Sequence, residues 1–222
     1  MPFVTQRTLA KKTREWMKAI EKRNVHKWPF DISRAALLVI DMQRYFLTKR
    51  EHGYCAGGVA AISNVKKIIA HFRENGRPII FTRHAHRSDG SDLGILGKWW
   101  SEMPVDGTKE AAIDERVLSR APKRRKGRSA EYILTKRRYS AFFGTDLDKI
   151  LKRHKIKEVV ITGIMTNVCC ESTAREAFFR DYMVRFVADA TGSVKEEMHV
   201  GTLLNLAYAF ADVCTTSELM NP

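Results

Sequence analysis

Short apolar runs alternate with segments of helical spacing along most of the chain. The clearest run is Ala35–Ile40 (AALLVI), whose unbroken hydrophobicity is typical of a strand that is covered on both faces. Similar runs predict further strands at residues 78–82, 132–135, 159–161, 183–188 and 213–215. Helical spacing predicts helices between them, for example at 62–72 and 194–210. Because strand and helix alternate, we expect an α/β fold in which a parallel sheet has helices on both faces, a three-layer α/β/α sandwich.

Two further segments depart from this alternation. Residues 8–23 place Leu9, Trp16, Met17 and Ile20 on one helical face and basic residues elsewhere, which predicts an amphipathic helix outside the sheet. We expect it, within an extension of residues 1–30, to cover either the domain or a neighbouring subunit. Residues 83–128 form a long polar segment with short helical pieces around 111–118. Loops of this length are usually functional, so we interpret the segment as the lid or wall of a pocket.

The start of one helix carries a local signal. Thr145 followed three residues later by Asp148 resembles a capping box, and it predicts the beginning of a helix that runs through Leu151.

Length and cysteine content bound the class of protein. At 222 residues the chain is long enough for one domain with a sizeable core. No apolar run approaches the roughly 20 residues that span a bilayer, and the N-terminus begins with a charged segment. We therefore expect a single cytoplasmic domain with no membrane partner. The four cysteines have no metal-ligand spacing and are too sparse for a disulfide scaffold, so we expect them to be reduced.

The strong positive charge invites a nucleic-acid interpretation. Lysine and arginine number 39 against 25 acidic residues, a net charge of +14. The densest basic run, KRRKGR at 123–128, has no interleaved aromatic residue, and no nucleic-acid-binding motif is present. We expect no specific nucleic-acid partner, and the charge is better suited to attracting an anionic substrate. A polyanion-binding module that uses this run remains an alternative.

Three predicted strands end in residues whose chemistry is complementary. Asp41 follows the first strand, Lys136 the third, and Cys169 lies at the turn after the fourth. Parallel strands bring these ends to one edge of the sheet, where open α/β sheets bind ligands. At a strand-to-helix turn, free N–H groups and the helix dipole favour a thiolate, which a reactive cysteine needs. The alternatives are that Asp41 caps a turn and that Cys169 and Cys170 are small buried residues.

The trio can perform nucleophilic catalysis. Asp41 can accept the thiol proton, while Lys136 keeps the carboxylate ionised and holds charge near the sulfur. Attack by the thiolate on a carbonyl carbon would form an oxyanion, for which N–H groups of the turn at 164–169 are candidate donors.

The residues that carry the trio also carry a family resemblance. VIDMQ at the first strand end, LTKRRYSAF around the lysine and ITGIMTNVCCESTAREAF around the cysteine resemble the three signatures of the isochorismatase-like cysteine hydrolases. The resemblance runs from about Ala35 to the C-terminus, and it implies a six-stranded parallel sheet in a Rossmann-like sandwich. It also implies that Asp41 is the general base and later acid, that Lys136 is its electrostatic partner and that Cys169 is the nucleophile.

Two more features follow from the resemblance. The peptide bond between Ile164 and Met165 is expected to be cis, with the N–H groups of Met165 and Cys169 forming the oxyanion hole. Members of the family are commonly dimers or tetramers, so we expect a homo-oligomer.

The resemblance also narrows the reaction. In the branch that cleaves the vinyl ether of isochorismate, a small residue typically replaces the cysteine, so Cys169 argues against that chemistry. The segment TNVCCEST resembles the ureidoacrylate amidohydrolases and related enzymes that act on carbamoyl or amide substrates. We expect hydrolysis of a small, amide-type C–N bond through a thioester on Cys169. A vinyl ether hydrolase and a non-catalytic binding protein with this fold are the alternatives.

The surroundings of the trio are less determined. In the nicotinamidase branch an aspartate and two histidines bind a metal near the end of the second strand; here that segment reads TRHAHRSD, with His84 in the place of the aspartate. We expect no metal and no cofactor, and His84 and His86 either face solvent or contact substrate, although two such histidines could chelate. Residues close to the motifs in sequence are candidates for substrate contact, although aromatics beside strands are more often core. These candidates are Phe46, Arg83, Trp99, Trp100 and Tyr139.

Overall fold

One sheet of six parallel strands forms the centre of the molecule. The computed structural model describes residues 2–118 and 129–221, so the basic run at 123–128 lies outside the described residues. The strand order is β3-β2-β1-β4-β5-β6. All six predicted strands are confirmed, and five of them are longer than, or displaced by a residue or two from, the predicted ranges. Their bounds are β1 Ala35–Ile40, β2 Ile79–His84, β3 Glu131–Lys136, β4 Glu158–Ile164, β5 Met183–Gly192 and β6 Asp212–Cys214.

Helices cover both faces of the sheet, which confirms the three-layer prediction. Their bounds are α1 Leu9–Ile20, α2 Arg44–Leu47, α3 Ala56–Glu74, α4 Leu96–Trp99, α5 Leu147–Arg153, α6 Glu171–Phe178, α7 Glu196–Ala209 and α8 Thr216–Met220. Helices α3 and α8 share one hydrophobic core with one face of the sheet. Helices α1, α5, α6 and α7 share the core on the other face. No helix in the described part of the chain combines the length and apolar character needed to cross a membrane.

The central strands show why their sequences read as unbroken apolar runs. Alternate side chains of β1 enter opposite cores: Leu38 and Ile40 join the α5–α7 side, while Leu37 and Val39 join the α3 side. Each such side chain contributes about 1.5–3 kcal/mol when it is fully buried. A strand flanked by two other strands and two helical layers therefore has no polar face.

The N-terminal helix packs on its own domain. Leu9, Trp16 and Ile20 are buried, as the amphipathic pattern predicts. The Trp16 indole N–H donates to Glu196 Oε1 at 2.8 Å, and its ring lies 4.3 Å from the ring of His199. Of the two expected roles, the structure shows that α1 covers the domain.

Two local predictions are wrong. No capping box forms at α5, because Asp146 is the N-cap and the Thr145 hydroxyl accepts from the Leu147 N–H, at 3.2 Å, instead of from the Asp148 N–H. Residues 111–118 form turns instead of helical pieces, because their backbone bonds to the loop after β1, as where Asp114 N–H donates to the carbonyl of Met42.

Candidate active site

The order of the sheet reverses between β1 and β4, and the candidate site lies beside this reversal. The connection after β1 leads to β2 on one side, and the connection after β4 leads to β5 on the other side. The two connections therefore diverge and leave a crevice at the carboxyl ends of the strands. Asp41 follows β1, Lys136 ends β3 and Cys169 follows β4. The sheet therefore delivers all three predicted residues to one place.

The three side chains are in contact. Lys136 Nζ lies 2.7 Å from Asp41 Oδ2, and it donates to Cys169 Sγ at 3.3 Å. A third bond runs from Nζ to the carbonyl of Arg138 at 3.1 Å. All three side chains are buried. The ammonium thus bridges the carboxylate and the sulfur.

Asp41 is held by the neighbouring strand. Its backbone is left-handed, with φ of 47°, a conformation that aspartate tolerates better than most residues. Its N–H donates to Thr82 Oγ1 at 3.1 Å, and the same hydroxyl donates to Asp41 Oδ1 at 2.6 Å. Gln43 then ties this loop to β2, because its side chain bonds both the N–H and the carbonyl of His84. The Asp41 carboxyl group is therefore held in a fixed position, and the capping alternative does not account for these contacts.

A glycine allows β4 to approach β1 at this point. Gly163 has φ of 111°, and a Cβ there would lie 2.1 Å from the main-chain oxygen of Ile40. The register of β4 against β5 also shifts between Ile161 and Gly163. Only glycine fits this backbone, which sets the direction in which the chain enters the cysteine turn.

The turn after β4 contains the predicted nucleophile, Cys169. The Ile164–Met165 peptide bond is cis, and residues Thr166–Cys170 form one π-helical turn that continues into α6. Cys169 faces the site, whereas Cys170 is fully buried in the core. The assignment of the Met165 and Cys169 N–H groups to an oxyanion hole stays a prediction.

Burial changes the expected state of the sulfur. Burial raises the pKa of the Cys169 thiol to about 12; the Lys136 ammonium lowers it and the Asp41 carboxylate adds to the rise. Desolvation therefore opposes the thiolate that the turn was expected to favour. Burial lowers the pKa of Lys136, but its interactions with Asp41 and Cys169 outweigh this effect and leave that pKa raised.

His84 belongs to this site, whereas the sequence left open whether it faces solvent or contacts substrate. It ends β2, which lies between β1 and β3, and it is paired in register with Lys136. Its Nδ1 lies 3.5 Å from Lys136 Nζ and 4.0 Å from Cys169 Sγ. The available signal was topological: once β1 and β3 contribute catalytic residues, the strand between them must end in the same site.

A second histidine and an acid continue from His84. His84 Nε2 lies 3.0 Å from His86 Nε2, and His86 Nδ1 lies 3.1 Å from Asp92 Oδ1. Both histidines are buried, so the solvent-facing alternative is wrong. Burial and the nearby Lys136 lower the pKa of His84 well below its ordinary value, and burial lowers the pKa of His86 despite its bond to Asp92. Both rings are therefore neutral near pH 7.

The pKa of Asp92 is lowered, although burial by itself would raise it. Desolvation raises this pKa, but hydrogen bonds from the Arg87 N–H and from His86, together with the charge of Arg137, leave it lowered. Asp92 is accordingly a carboxylate at neutral pH.

Within residues 2–118 and 129–221, Asp41, His84 and Cys169 form the group that could hold a metal. Each offers one ligand atom, and these atoms lie within 4.8 Å of one another. The ammonium of Lys136 contacts all three side chains, at 2.7, 3.5 and 3.3 Å respectively. A second cation among these atoms would face a buried positive charge, so the donor set does not fit a metal ion.

A small pocket of about 180 Å³ opens above the sulfur. Its lining is mainly aromatic and apolar, and it includes three of the candidates, Phe46, Trp100 and Tyr139. The Trp100 indole N–H donates to the Tyr139 hydroxyl at 2.8 Å. Trp99 and Arg83 do not line the pocket: Trp99 is 74% exposed, and the Arg83 guanidinium donates to Thr135 Oγ1 at 2.7 Å. The other lining residues are Tyr45, His52, Gly53, Tyr54, His84, Glu102, Met103, Met165, Val168, Cys169 and Val194.

The chain is similar to known proteins across the strands and turns that form this site. The family model described as an isochorismatase domain matches residues 35–218. Nicotinamidase 3 of Arabidopsis thaliana is 39% identical over 186 residues, which cover 83% of this chain and 86% of that protein. The ureidoacrylate amidohydrolase RutB of Caulobacter segnis is 28% identical over 205 residues, which cover 86% of each chain. A crystal structure of a cysteine hydrolase from Pseudomonas syringae superposes with a TM-score of 0.79 at 27% identity, covering 88% of this chain and 94% of that one.

Proposed function

Because the chain belongs to the isochorismatase-like cysteine hydrolase family, we propose that it hydrolyses a small uncharged aromatic amide, of the size of nicotinamide, through a thioester on Cys169. One observation carries the proposal: the Cys169 sulfur, in contact with the Asp41–Lys136 pair, forms part of the wall of a small aromatic pocket.

Acylation begins with a protonated sulfur. Asp41 takes the Cys169 proton as the sulfur attacks the amide carbon, so that the S–C bond forms while the thiol ionises. Lys136 stabilises the charge that moves onto the sulfur, and the Met165 and Cys169 N–H groups are assigned to the oxyanion. Asp41 then returns the proton to the amide nitrogen, the C–N bond breaks, and ammonia leaves a thioester.

Deacylation uses the same acid–base group. A water molecule gives one proton to Asp41 and adds its oxygen to the thioester carbon. The C–S bond then breaks, the sulfur recovers the proton from Asp41, and the carboxylic acid is released. The net reaction converts an amide and water into an acid and ammonia, with the enzyme unchanged.

The pocket favours an uncharged ring over the anionic substrate that the net charge suggested. Among the described residues, the lining contains neither lysine nor arginine, and it contains the acid Glu102. Tyr45, Phe46, Trp100 and Tyr139 instead offer faces and edges for a flat ring. The higher identity to a protein named as a nicotinamidase than to RutB agrees with this choice.

Ammonia release tests the proposal. Nicotinamide, benzamide, formamide and an anionic ureido acid would be offered to the wild type, to Cys169→Ala and to the matched control Cys170→Ala, whose side chain lies in the core. We expect the wild type and the control to prefer the aromatic amides, and Cys169→Ala to lose at least about 10³-fold in kcat.

Two results would contradict this. Turnover that survives in Cys169→Ala would exclude a thioester, and a preference for the ureido acid would return the substrate to the carbamoyl class. A folded wild type that hydrolyses no amide would direct attention to vinyl ethers or to a binding role.

A further inference from the structure

The mechanism above does not use the buried chain that leads away from the reaction centre through His84, His86 and Asp92. Its links are 3.0 Å between the two Nε2 atoms and 3.1 Å between His86 Nδ1 and Asp92 Oδ1. Arg137 Nε holds the far side of Asp92 at 2.7 Å. The protons along these links have to follow one order, because a buried ring nitrogen without a hydrogen-bond partner destabilises the fold.

Both ends of the chain impose the same order. A carboxylate only accepts hydrogen bonds, so His86 carries its proton on Nδ1 and accepts at Nε2. His84 must then carry its proton on Nε2, where it donates to His86. At the other end the Lys136 ammonium, which only donates, faces His84 Nδ1 at 3.5 Å, so a proton on Nδ1 would set two donors against each other. The three ammonium protons have nearer partners in Asp41, Arg138 and Cys169, at 2.7, 3.1 and 3.3 Å. His84 therefore keeps an unprotonated Nδ1 whose lone pair is available to a substrate.

This lone pair lies beside the nucleophile. His84 lines the pocket together with Cys169, and its Nδ1 is 4.0 Å from the sulfur. A carbonyl carbon bound to that sulfur would place its remaining substituents within reach of Nδ1. A carboxamide presents N–H donors there, whereas the alkoxy oxygen of an ester presents only lone pairs.

We propose that His84 Nδ1 accepts an N–H of the substrate carboxamide, holds the leaving nitrogen for protonation by Asp41, and so selects amides over esters. His86 and Asp92 are positioning residues that fix the tautomer of His84. The inference rests on the proposed function, because it names a substrate contact of the same site.

The test removes the fixed hydrogen-bond acceptor at the Asp92 end of this series, away from the substrate. In Asp92→Asn the new amide can donate as well as accept, so the order of protons is no longer imposed. The matched control is Asp106→Asn, which removes a carboxylate that also pairs with Arg137, at 3.5 Å, without touching either histidine. Nicotinamide and methyl nicotinate form the substrate pair, and ¹⁵N NMR of the His84 ring reports its tautomer.

We expect Asp92→Asn to lower kcat/KM for the amide about tenfold or more, the effect of losing one hydrogen bond of about 1.4 kcal/mol, while the ester changes less than about twofold. The control should keep the wild-type ratio of amide to ester. The wild-type spectrum should show an unprotonated Nδ1, assigned by the loss of its signal in His84→Gln, and Asp92→Asn should show a mixture of tautomers.

Failure of the inference and failure of the proposed function give different results. Equal losses for amide and ester in Asp92→Asn, or a wild-type His84 protonated on Nδ1, would overturn the inference and leave the amidase intact. A wild type that hydrolyses no amide would overturn the proposed function and, with it, the contact assigned to His84.

Discussion

The buried pair of Asp41 and Lys136 makes a prediction that does not depend on the substrate. Replacing Lys136 with Met leaves a buried carboxylate without its partner, and replacing Asp41 with Asn leaves a buried ammonium without its partner. The double variant removes both charges. We expect each single variant to be much less stable than the wild type, and the double variant to recover most of the loss.

The magnitude follows from distance and burial. At 2.7 Å and an effective dielectric constant of about 20, two unit charges attract by about 6 kcal/mol. Desolvation of both ions offsets much of this, because the side chains are 0% and 1% exposed. Removing one partner of such a pair typically costs about 3–5 kcal/mol, while removing both is close to neutral. The coupling energy between the substitutions should therefore exceed about 2 kcal/mol.

Urea unfolding of the wild type, both single variants and the double variant measures this coupling. Lys149 and Asp146 provide the control cycle, because their atoms are a similar 2.8 Å apart while their side chains are 80% and 65% exposed. Their coupling should be indistinguishable from zero, since solvent screens exposed pairs. Effects at Asp41 and Lys136 that simply add, within about 0.5 kcal/mol, would refute the reasoning.

Three other predictions follow from the geometry. Thr82→Val keeps the shape of β2 but removes both hydrogen bonds to Asp41, so kcat should fall about 10–100-fold with little change in KM, and unchanged kinetics would show that the hydroxyl does not orient the carboxylate. Burial lowers the pKa of His199 from its ordinary 6.5 to about 4. The neutral ring therefore contributes about 3 kcal/mol to the free energy of unfolding, fully present above pH 6.5 and lost as the pH falls toward 4. Urea midpoints between pH 4 and 8 should show this decline in the wild type, and it should be shallower in His199→Gln. Gly163→Ala should destabilise the fold by more than about 3 kcal/mol, since its Cβ would meet main-chain atoms, whereas Gly144→Ala, at φ of 66° in open space, should cost about 1 kcal/mol; equal melting temperatures of the two variants would contradict this.

The burial of Cys169 also bears on how the site works. In the proposed mechanism, a sulfur whose pKa is raised by burial gives its proton to Asp41 as it attacks the carbonyl. That mechanism places the Lys136 ammonium 2.7 Å from the Asp41 carboxyl group that accepts the proton.

Much of the fold could be predicted because its signals are local. The apolar run Ala35–Ile40 coincides with β1, and the alternation of strands with helices predicts a parallel sheet. Parallel strands must bring their carboxyl ends together, so the approach of Asp41, Lys136 and Cys169 followed from their positions at strand ends. The face on which α1 is buried was readable from its 3.6-residue period in the same way.

Other features depend on contacts between residues far apart in the chain, and only the tertiary structure decided them. Trp99 and Trp100 are adjacent, and the loop conformation alone determines that Trp100 faces the pocket while Trp99 faces solvent. The burial of Cys169 depends on elements far apart in the chain, and the resulting desolvation opposes the thiolate expected from its local turn. His84 enters the site because β2 lies between β1 and β3, and its link through His86 to Asp92 exists only once the loop after β2 has folded back. The sequence by itself determined which residues reach the edge of the sheet, because hydrophobic period and strand polarity act locally. The tertiary structure determined which of these residues face one another and how their pKa values shift, because burial and electrostatics are sums over the whole fold.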